Sequence, residues 1–191
     1  LCLNGGIGPL IRVAEGLHEK KISQIADEIT GRWPEVRLIT VAGPSSSGKT
    51  TFAKRLGVQL RVNGIEPISL SLDNYYVNRQ ETPLDEDGKP DFEALEAIEL
   101  DLFLEQLAEL MAGRQVHTPT FDFVTGSRRP EREWSPMQLG DHQLLVVEGI
   151  HGLNDRLTAS VPRSQKYRVY VSALSQLAID HHNRIFTSDA R

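Results

Sequence analysis

The chain has 191 residues, a length that fits one domain with at most a short appendage. Its 21 basic and 26 acidic residues give a formal charge of -5, which argues against a general nucleic-acid binder with a basic face. No apolar run reaches the ~20 residues that a membrane helix needs, and the single cysteine, Cys2, cannot form an internal disulfide or a thiolate cluster. We therefore expect a cytoplasmic globular protein without a membrane partner.

Residues 14–29 predict an amphipathic helix ahead of the rest of the chain. Their apolar side chains recur at near-helical spacing, charged residues fill the other face, and Gly31 stands where a C-terminal cap belongs. Trp33-Pro34 then interrupts the pattern. We predict a connector over residues 1–36 and a second unit over residues 37–191.

Short apolar runs then alternate with amphipathic stretches. The runs that predict strands are residues 37–42, 67–72, 144–147 and 167–171, with a short strand or ribbon at 117–123. The stretches that predict helices are residues 50–62, 92–112 and 174–185. This alternation predicts an α/β fold of the phosphate-loop NTPase type, a parallel sheet of about five strands with helices on both faces. In such a sheet, ligands bind beyond the carboxyl ends of the strands.

Residues 43–50 (GPSSSGKT) fit the phosphate-loop pattern G-x-x-x-x-G-K-[ST] between a predicted strand and a predicted helix. Glycines let successive N–H groups approach phosphate oxygens, and the helix N-terminus adds a positive field. Lys49 supplies a cation for the β- and γ-phosphates, and the Thr50 hydroxyl is a hard ligand for Mg²⁺. We predict that ATP and Mg²⁺ bind here, on Gly43, Ser45, Ser46, Ser47, Gly48, Lys49, Thr50 and Thr51.

Two acidic residues end predicted strands at the same edge of the sheet. Asp73 can orient and deprotonate an acceptor hydroxyl, although a capping or turn role is the alternative. Glu148 follows the run 144–147 and can lie near the metal, with a surface glutamate as the alternative. The sequence has no N-K-x-D guanine-reading motif, which disfavours a GTPase switch.

Five segments resemble the uridine kinase/phosphoribulokinase family in order and spacing, namely residues 43–51, 71–76, 90–93, 119–129 and 146–150. The resemblance covers residues 37–191 and is stronger towards uridine kinases. The stretch before it resembles the connector of longer bacterial members that carry a TGS-type domain. The family implies in-line transfer of a phosphoryl group from ATP to the 5′-hydroxyl of a nucleoside, uridine or cytidine.

The resemblance also implies roles for individual residues. Asp73 matches the base that accepts the hydroxyl proton, and Asp91 matches an aspartate that binds ribose hydroxyls. Glu148 matches the acidic residue near Mg²⁺ and the reacting hydroxyl. Arg128 or Arg129 matches a basic residue near the acceptor pocket.

The aromatic wall implied by the family falls on Tyr75 and Tyr76, although packing alone would explain at least one of them. Related pyrimidine kinases read the base with a tyrosine and a histidine, which align here with Phe121 and Gly126. Phe121 keeps the ring without the hydroxyl, and Gly126 has no side chain, so the preference for uracil or cytosine is open.

Two further expectations concern the ends and the function. Relatives close the site with an arginine-bearing lid, and this chain ends at Arg191, about where the lid begins, with Arg184 as another candidate. Since it starts at Leu1, we expect a piece of a longer protein, with a homo-oligomer left open. The alternatives are a related kinase acting on a sugar phosphate or pantothenate, and an ATP-sensing regulatory module.

Overall fold

The computed structural model describes residues 7–172. Within them, three α-helices are α1 (Ile7–Thr30), α2 (Lys49–Val62) and α3 (Leu100–Met111). The strands, in chain order, are β1 (Leu38–Ala42), β2 (Glu66–Ser71), β3 (Val116–Thr118), β4 (Phe121–Asp122), β5 (Ser127–Arg128), β6 (Ser135–Met137), β7 (Gln143–Glu148) and β8 (Lys166–Tyr170). The predicted helix 174–185 and the candidate lid residues Arg184 and Arg191 lie outside the described residues.

Four strands form a parallel sheet in the order β2-β7-β1-β8. In its register Glu148 at the end of β7 lies beside Val41 of β1 on one side and Ser71 of β2 on the other. The carboxyl ends of these three strands therefore meet at one edge, as predicted. The stretch 117–123 forms parts of two small antiparallel ribbons, β3–β6 and β4–β5, and does not join the parallel sheet. That sheet therefore has four strands among residues 7–172, where about five were predicted.

Helices cover both faces of this sheet, which confirms the α/β prediction. Successive residues of a strand point to opposite faces, and the fully buried Leu38 and Ile39 of β1 belong to different core clusters. On the Leu38 side, α3 contributes buried side chains to the core, including Phe103 and Leu107. On the Ile39 side, α2 and α1 contribute, with Leu56 as one fully buried residue.

Helix α1 is longer than predicted, since it begins at Ile7. Its second half is part of the core, where Ile22, Ala26 and Ile29 are fully buried. Its first half carries exposed apolar side chains such as Val13. The division of the chain near residue 36 stays a prediction. No helix among residues 7–172 has the length and the apolar composition to cross a bilayer.

Helix α3 is shorter than predicted and begins at Leu100 rather than near residue 92. Asp91 Oδ1 accepts hydrogen bonds from the N–H groups of Glu93 (2.9 Å) and Ala94 (3.1 Å) and closes a local turn. No α-helix continues from this turn, because Ala94 is extended at ψ 143°. Ile98 then forms a β-bridge with Tyr76. The periodicity of residues 92–99 therefore falls on a turn, a 3₁₀ helix at Leu95–Ala97 and a β-bridge rather than on an α-helix.

Candidate active site

The loop between β1 and α2 is shaped by its glycines. A Cβ added to Gly43 would lie 2.0 Å from the carbonyl oxygen of Val171, so only glycine fits where the loop passes the end of the sheet. Gly48, at φ +88°, precedes α2 in a left-handed conformation that glycine adopts readily. It gives α2 no side-chain cap, and the first N–H groups of the helix are therefore available to an anion.

Among residues 7–172, the polar side chains of this loop have few hydrogen-bond partners. Lys49 Nζ donates a hydrogen bond to the carbonyl oxygen of Pro44 at 2.8 Å, which folds the side chain back over the loop. The Ser47 hydroxyl is buried, and it has no hydrogen-bond partner within residues 7–172. Buried hydroxyls normally have partners, so this one fits a loop that surrounds an additional polar group.

Thr50 and Glu148 bring hard oxygen atoms together beside the loop. Thr50 Oγ1 donates to Glu148, 2.8 Å from Oε2 and 3.0 Å from Oε1. Hydroxyl and carboxylate oxygens are the donors that Mg²⁺ prefers, usually together with phosphate oxygens. In the described part of the chain, no group of three or more His, Cys, Asp or Glu side chains could hold a metal. This pair therefore fits Mg²⁺ that arrives with a phosphate chain.

Asp73 stands in a short 3₁₀ turn, Leu72–Tyr75, directly after β2. The capping role that was the alternative for Asp73 falls to Ser71, whose hydroxyl accepts from the Asp73 N–H at 3.4 Å. Desolvation by the cleft walls and the negative charge of Glu148 raise the pKa of Asp73 above its ordinary range, while Lys49 offsets part of this. Asp73 thus interacts electrostatically with Glu148 and with Lys49 of the phosphate loop. Its side chain is exposed and remains accessible to a ligand.

A cavity of about 330 Å³ joins Asp73 to the phosphate loop. Half of its eight lining residues are aromatic. Tyr76 packs edge-on against Phe121 at 5.8 Å and against Phe92 at 6.5 Å between ring centres. Its lining residues are Ser45, Asp73, Tyr76, Arg79, Phe92, Phe121, Phe123 and Gly126. Another depression, of about 460 Å³, lies at the amino ends of β1 and β8, which is the edge of the sheet opposite to the phosphate loop.

The structure does not bring Tyr75 to this cavity. Its side chain is fully buried beside Phe103, and its hydroxyl donates to Gln106 Oε1 at 2.7 Å. The 3₁₀ turn after β2 points neighbouring residues in different directions, so that Tyr76 alone reaches the cavity. The predicted substrate contact of Tyr75 is therefore corrected to a core position.

Arg128 also lies apart from the cavity. Its guanidinium donates to the carbonyl oxygen of Tyr76 at 3.2 Å and pairs with Glu99 at 3.3 Å. Both contacts fix the loop after β2 against the start of α3, so Arg128 is a structural tether where a substrate contact was predicted. Arg129, the other candidate, pairs with Asp122 at 3.4 Å.

Asp91 does not line the cavity either, and the turn that it forms uses its Oδ1. Its assignment to ribose stays a prediction. Sequence reasoning did not find two of the cavity residues. Arg79 belongs to a segment that was treated as a polar loop, and Phe92 belongs to a segment that was treated as a helix. The folding of these segments over β4–β5 was not visible in local patterns.

Comparisons with known proteins identify a family. The model of the phosphoribulokinase / uridine kinase family matches residues 38–184. Uridine kinase of Schizosaccharomyces pombe is 34% identical over 131 residues, which are 68% of this chain and 28% of that protein. Uridine kinase of Brevibacillus brevis is 34% identical over 118 residues, 62% of this chain and 52% of that protein. The chain thus spans about half or less of the length of these relatives.

Solved structures show the same fold. A possible uridine kinase from Bacillus stearothermophilus superposes with a TM-score of 0.57 at 24% identity, covering 71% of this chain and 70% of that one. A putative fructose transport system kinase from Silicibacter superposes with a TM-score of 0.55 at 18% identity, covering 77% and 73%.

Proposed function

The chain belongs to the phosphoribulokinase / uridine kinase family, and on this basis we propose that it phosphorylates a nucleoside, uridine or cytidine, at the 5′-hydroxyl with ATP as donor. The observation that carries the proposal is that Ser45 of the phosphate loop and Asp73 line one cavity. A donor phosphate and an acceptor hydroxyl can therefore meet beside a carboxylate.

The donor side is assigned to the phosphate loop. The N–H groups at the start of α2 bind phosphate oxygens, and Lys49 exchanges its bond to Pro44 for the β- and γ-phosphates. Thr50 and Glu148, whose oxygens already lie within 3.0 Å of each other, hold Mg²⁺. When bound, Mg²⁺ neutralises the negative charge of the phosphates.

The transfer step is assigned to Asp73. Its carboxylate accepts the proton of the 5′-hydroxyl as the oxygen attacks the γ-phosphorus, forming an O–P bond while the bond to the β–γ bridging oxygen breaks and ADP leaves. The raised pKa of Asp73 makes the carboxylate a stronger base than an ordinary aspartate. Holding the two reactants close together in the cavity lowers the activation barrier further.

The acceptor is assigned to the aromatic cavity. The rings of Tyr76, Phe92 and Phe121 offer flat apolar surfaces on which a base can stack. Asp91 lies next to Phe92 of the cavity lining, and it is proposed to bind the ribose of a nucleoside at the edge of the cavity. Oδ2 is the oxygen assigned to this contact, because Oδ1 is used by two backbone N–H groups. A cavity of about 330 Å³ leaves space for a small molecule, and the aromatic walls favour a nucleoside over an aliphatic sugar phosphate.

The test is to identify products by mass spectrometry after incubating the protein with Mg-ATP and a pool of nucleosides, pantothenate and pentose phosphates. A chain extended beyond Arg191 is assayed in parallel. We expect a nucleoside 5′-monophosphate. A phosphorylated pantothenate or pentose phosphate instead, or ATP binding without any phosphorylated product from either chain, would contradict the proposal.

A further inference from the structure

Arg79 is the one basic residue that lines the acceptor cavity, among the residues that the structure describes. Its backbone position is fixed by the β4–β5 hairpin, because its N–H donates to the carbonyl oxygen of Gly126 at 2.8 Å. The adjacent Asn78 accepts a hydrogen bond from the Arg128 N–H at 3.1 Å through Oδ1. Two contacts thus hold this loop on the hairpin.

Gly126 provides the space in which the Arg79 side chain lies. A Cβ added to Gly126 would be 2.8 Å from Arg79 Nε and 3.0 Å from its Cζ. Gly126 also has φ +68°, a conformation that other residues adopt with strain. The guanidinium therefore crosses directly over the glycine, and a side chain at position 126 would displace it.

The donors of this guanidinium are available to a ligand. Within residues 7–172 no carboxylate lies within ion-pairing distance of Arg79, whereas Arg128 and Arg129 are both paired. A guanidinium has five N–H donors and no acceptor. It can pair with carbonyl oxygens of a ligand, but it opposes a ligand amino group donor to donor.

We propose that Arg79, seated over Gly126, selects an acceptor whose base presents a carbonyl edge, so that uridine is preferred over cytidine. The inference rests on the proposed nucleoside kinase activity and adds a residue that sets its specificity. In the proposed pose the base stacks on the aromatic side chains of the cavity with its 4-position towards the guanidinium. The 4-carbonyl of uracil accepts a hydrogen bond there, whereas the 4-amino group of cytosine cannot, and the 2-carbonyl that both bases share points away.

An anionic acceptor is less compatible with the same cavity. Its lining contains a single cation, Arg79, and a carboxylate, Asp73. A phosphate or carboxylate on the acceptor would thus share the cavity with a like charge, whereas sites for phosphate usually collect several N–H donors or cations.

The experiment compares uridine and cytidine, with pantothenate and ribose 5-phosphate as anionic ligands, on three proteins, namely the unsubstituted chain, Arg79→Gln and Arg132→Gln. Glutamine at position 79 keeps the backbone bond to Gly126, and its amide offers both a donor and an acceptor. Arg132 is a matched control because its side chain is 80% exposed and lies outside the cavity. Dissociation constants are measured by calorimetry, and phosphorylation rates with Mg-ATP are measured beside them.

We expect uridine to be preferred about tenfold or more, as for other hydrogen-bond discriminations between bases. Arg79→Gln should reduce this preference to near unity, and Arg132→Gln should leave it unchanged. A preference that survives Arg79→Gln would overturn the role of Arg79 while leaving the nucleoside kinase intact. If neither nucleoside is bound or phosphorylated, the proposed function itself is overturned. If Arg79→Gln selectively loses binding of pantothenate or ribose 5-phosphate, Arg79 binds an anionic ligand and does not select between bases.

Discussion

The hydroxyl of Thr50 donates a 2.8 Å hydrogen bond to the carboxylate of Glu148, although the two residues are 98 positions apart. One residue stands in the first turn of α2 and the other at the end of β7. The contact therefore ties the phosphate loop to the centre of the sheet. It also places a negative charge close enough to Asp73 to raise the pKa of that carboxyl group.

The first prediction concerns this charge. Glu148→Gln keeps an oxygen that can accept from Thr50 but removes the negative charge, so the pKa of Asp73 should fall towards its ordinary value. Carbon NMR titration of the Asp73 carboxyl group measures this directly. Glu105→Gln, an exposed change on α3, is the control and should have no effect. An unchanged pKa in Glu148→Gln would remove the electrostatic link.

The raised pKa of Asp73 also predicts how the reaction rate depends on pH. A base must be ionised to accept a proton, so the rate should rise with pH as Asp73 deprotonates. Because the pKa of Asp73 is raised, the acidic limb of the kcat/KM profile should lie above the ordinary aspartate range. A limb at or below that range would argue that another group is the base.

A second prediction compares two glycines. Gly43→Ala would place a Cβ 2.0 Å from the backbone oxygen of Val171, whereas an Ala at Gly16 meets nothing within 4 Å. Gly43→Ala should lower the melting temperature and abolish the further rise that Mg-ATP produces by binding the folded state. Gly16→Ala should stabilise α1 by roughly 0.5–1 kcal/mol and keep the response to Mg-ATP. Equal behaviour of the two variants would contradict the described loop geometry.

A third prediction separates the two adjacent tyrosines. Tyr75→Phe removes a buried hydroxyl that donates to Gln106, and it should lower the free energy of unfolding by about 1–3 kcal/mol with little change in KM for the acceptor. Tyr76→Phe removes a more accessible hydroxyl, which donates to the Phe92 carbonyl oxygen at 3.2 Å. It should alter stability less and KM more. Denaturant unfolding and steady-state kinetics measure both, and the reverse ranking would return Tyr75 to the cavity.

The contrast between these residues shows what the sequence could reveal. The strands, the loop 43–50 and the acidic residues at strand ends were predictable because each depends on a local pattern and on the geometry of parallel sheets. Which of Tyr75 and Tyr76 faces the cavity depends on a 3₁₀ turn of four residues, which periodicity does not resolve.

Long-range contacts account for the other differences. Arg79 reaches the cavity because its side chain packs over Gly126 of the hairpin β4–β5, which is 47 positions later in the chain. Arg128 is removed from the cavity by its pairing with Glu99. Helix α3 starts late because Ile98 is extended and pairs with Tyr76, so residues that look helical pack in another conformation. Each of these outcomes is decided by a tertiary partner that no local pattern identifies.

The most direct test of the whole account is Asp73→Asn, measured for both product formation and ATP affinity, with Asp141→Asn as an exposed control. An ionised aspartate whose pKa is raised by folding destabilises the folded state at neutral pH. This cost in free energy is absent below the pKa of the unfolded state and grows as the pH rises through the pKa of the folded state. Asp73→Asn should therefore not lower the melting temperature. We predict a loss of nucleoside monophosphate formation of about 10²-fold or more, with ATP affinity within a few-fold of the unsubstituted chain. Equal turnover in Asp73→Asn and the unsubstituted chain would contradict the assignment of Asp73 as the base.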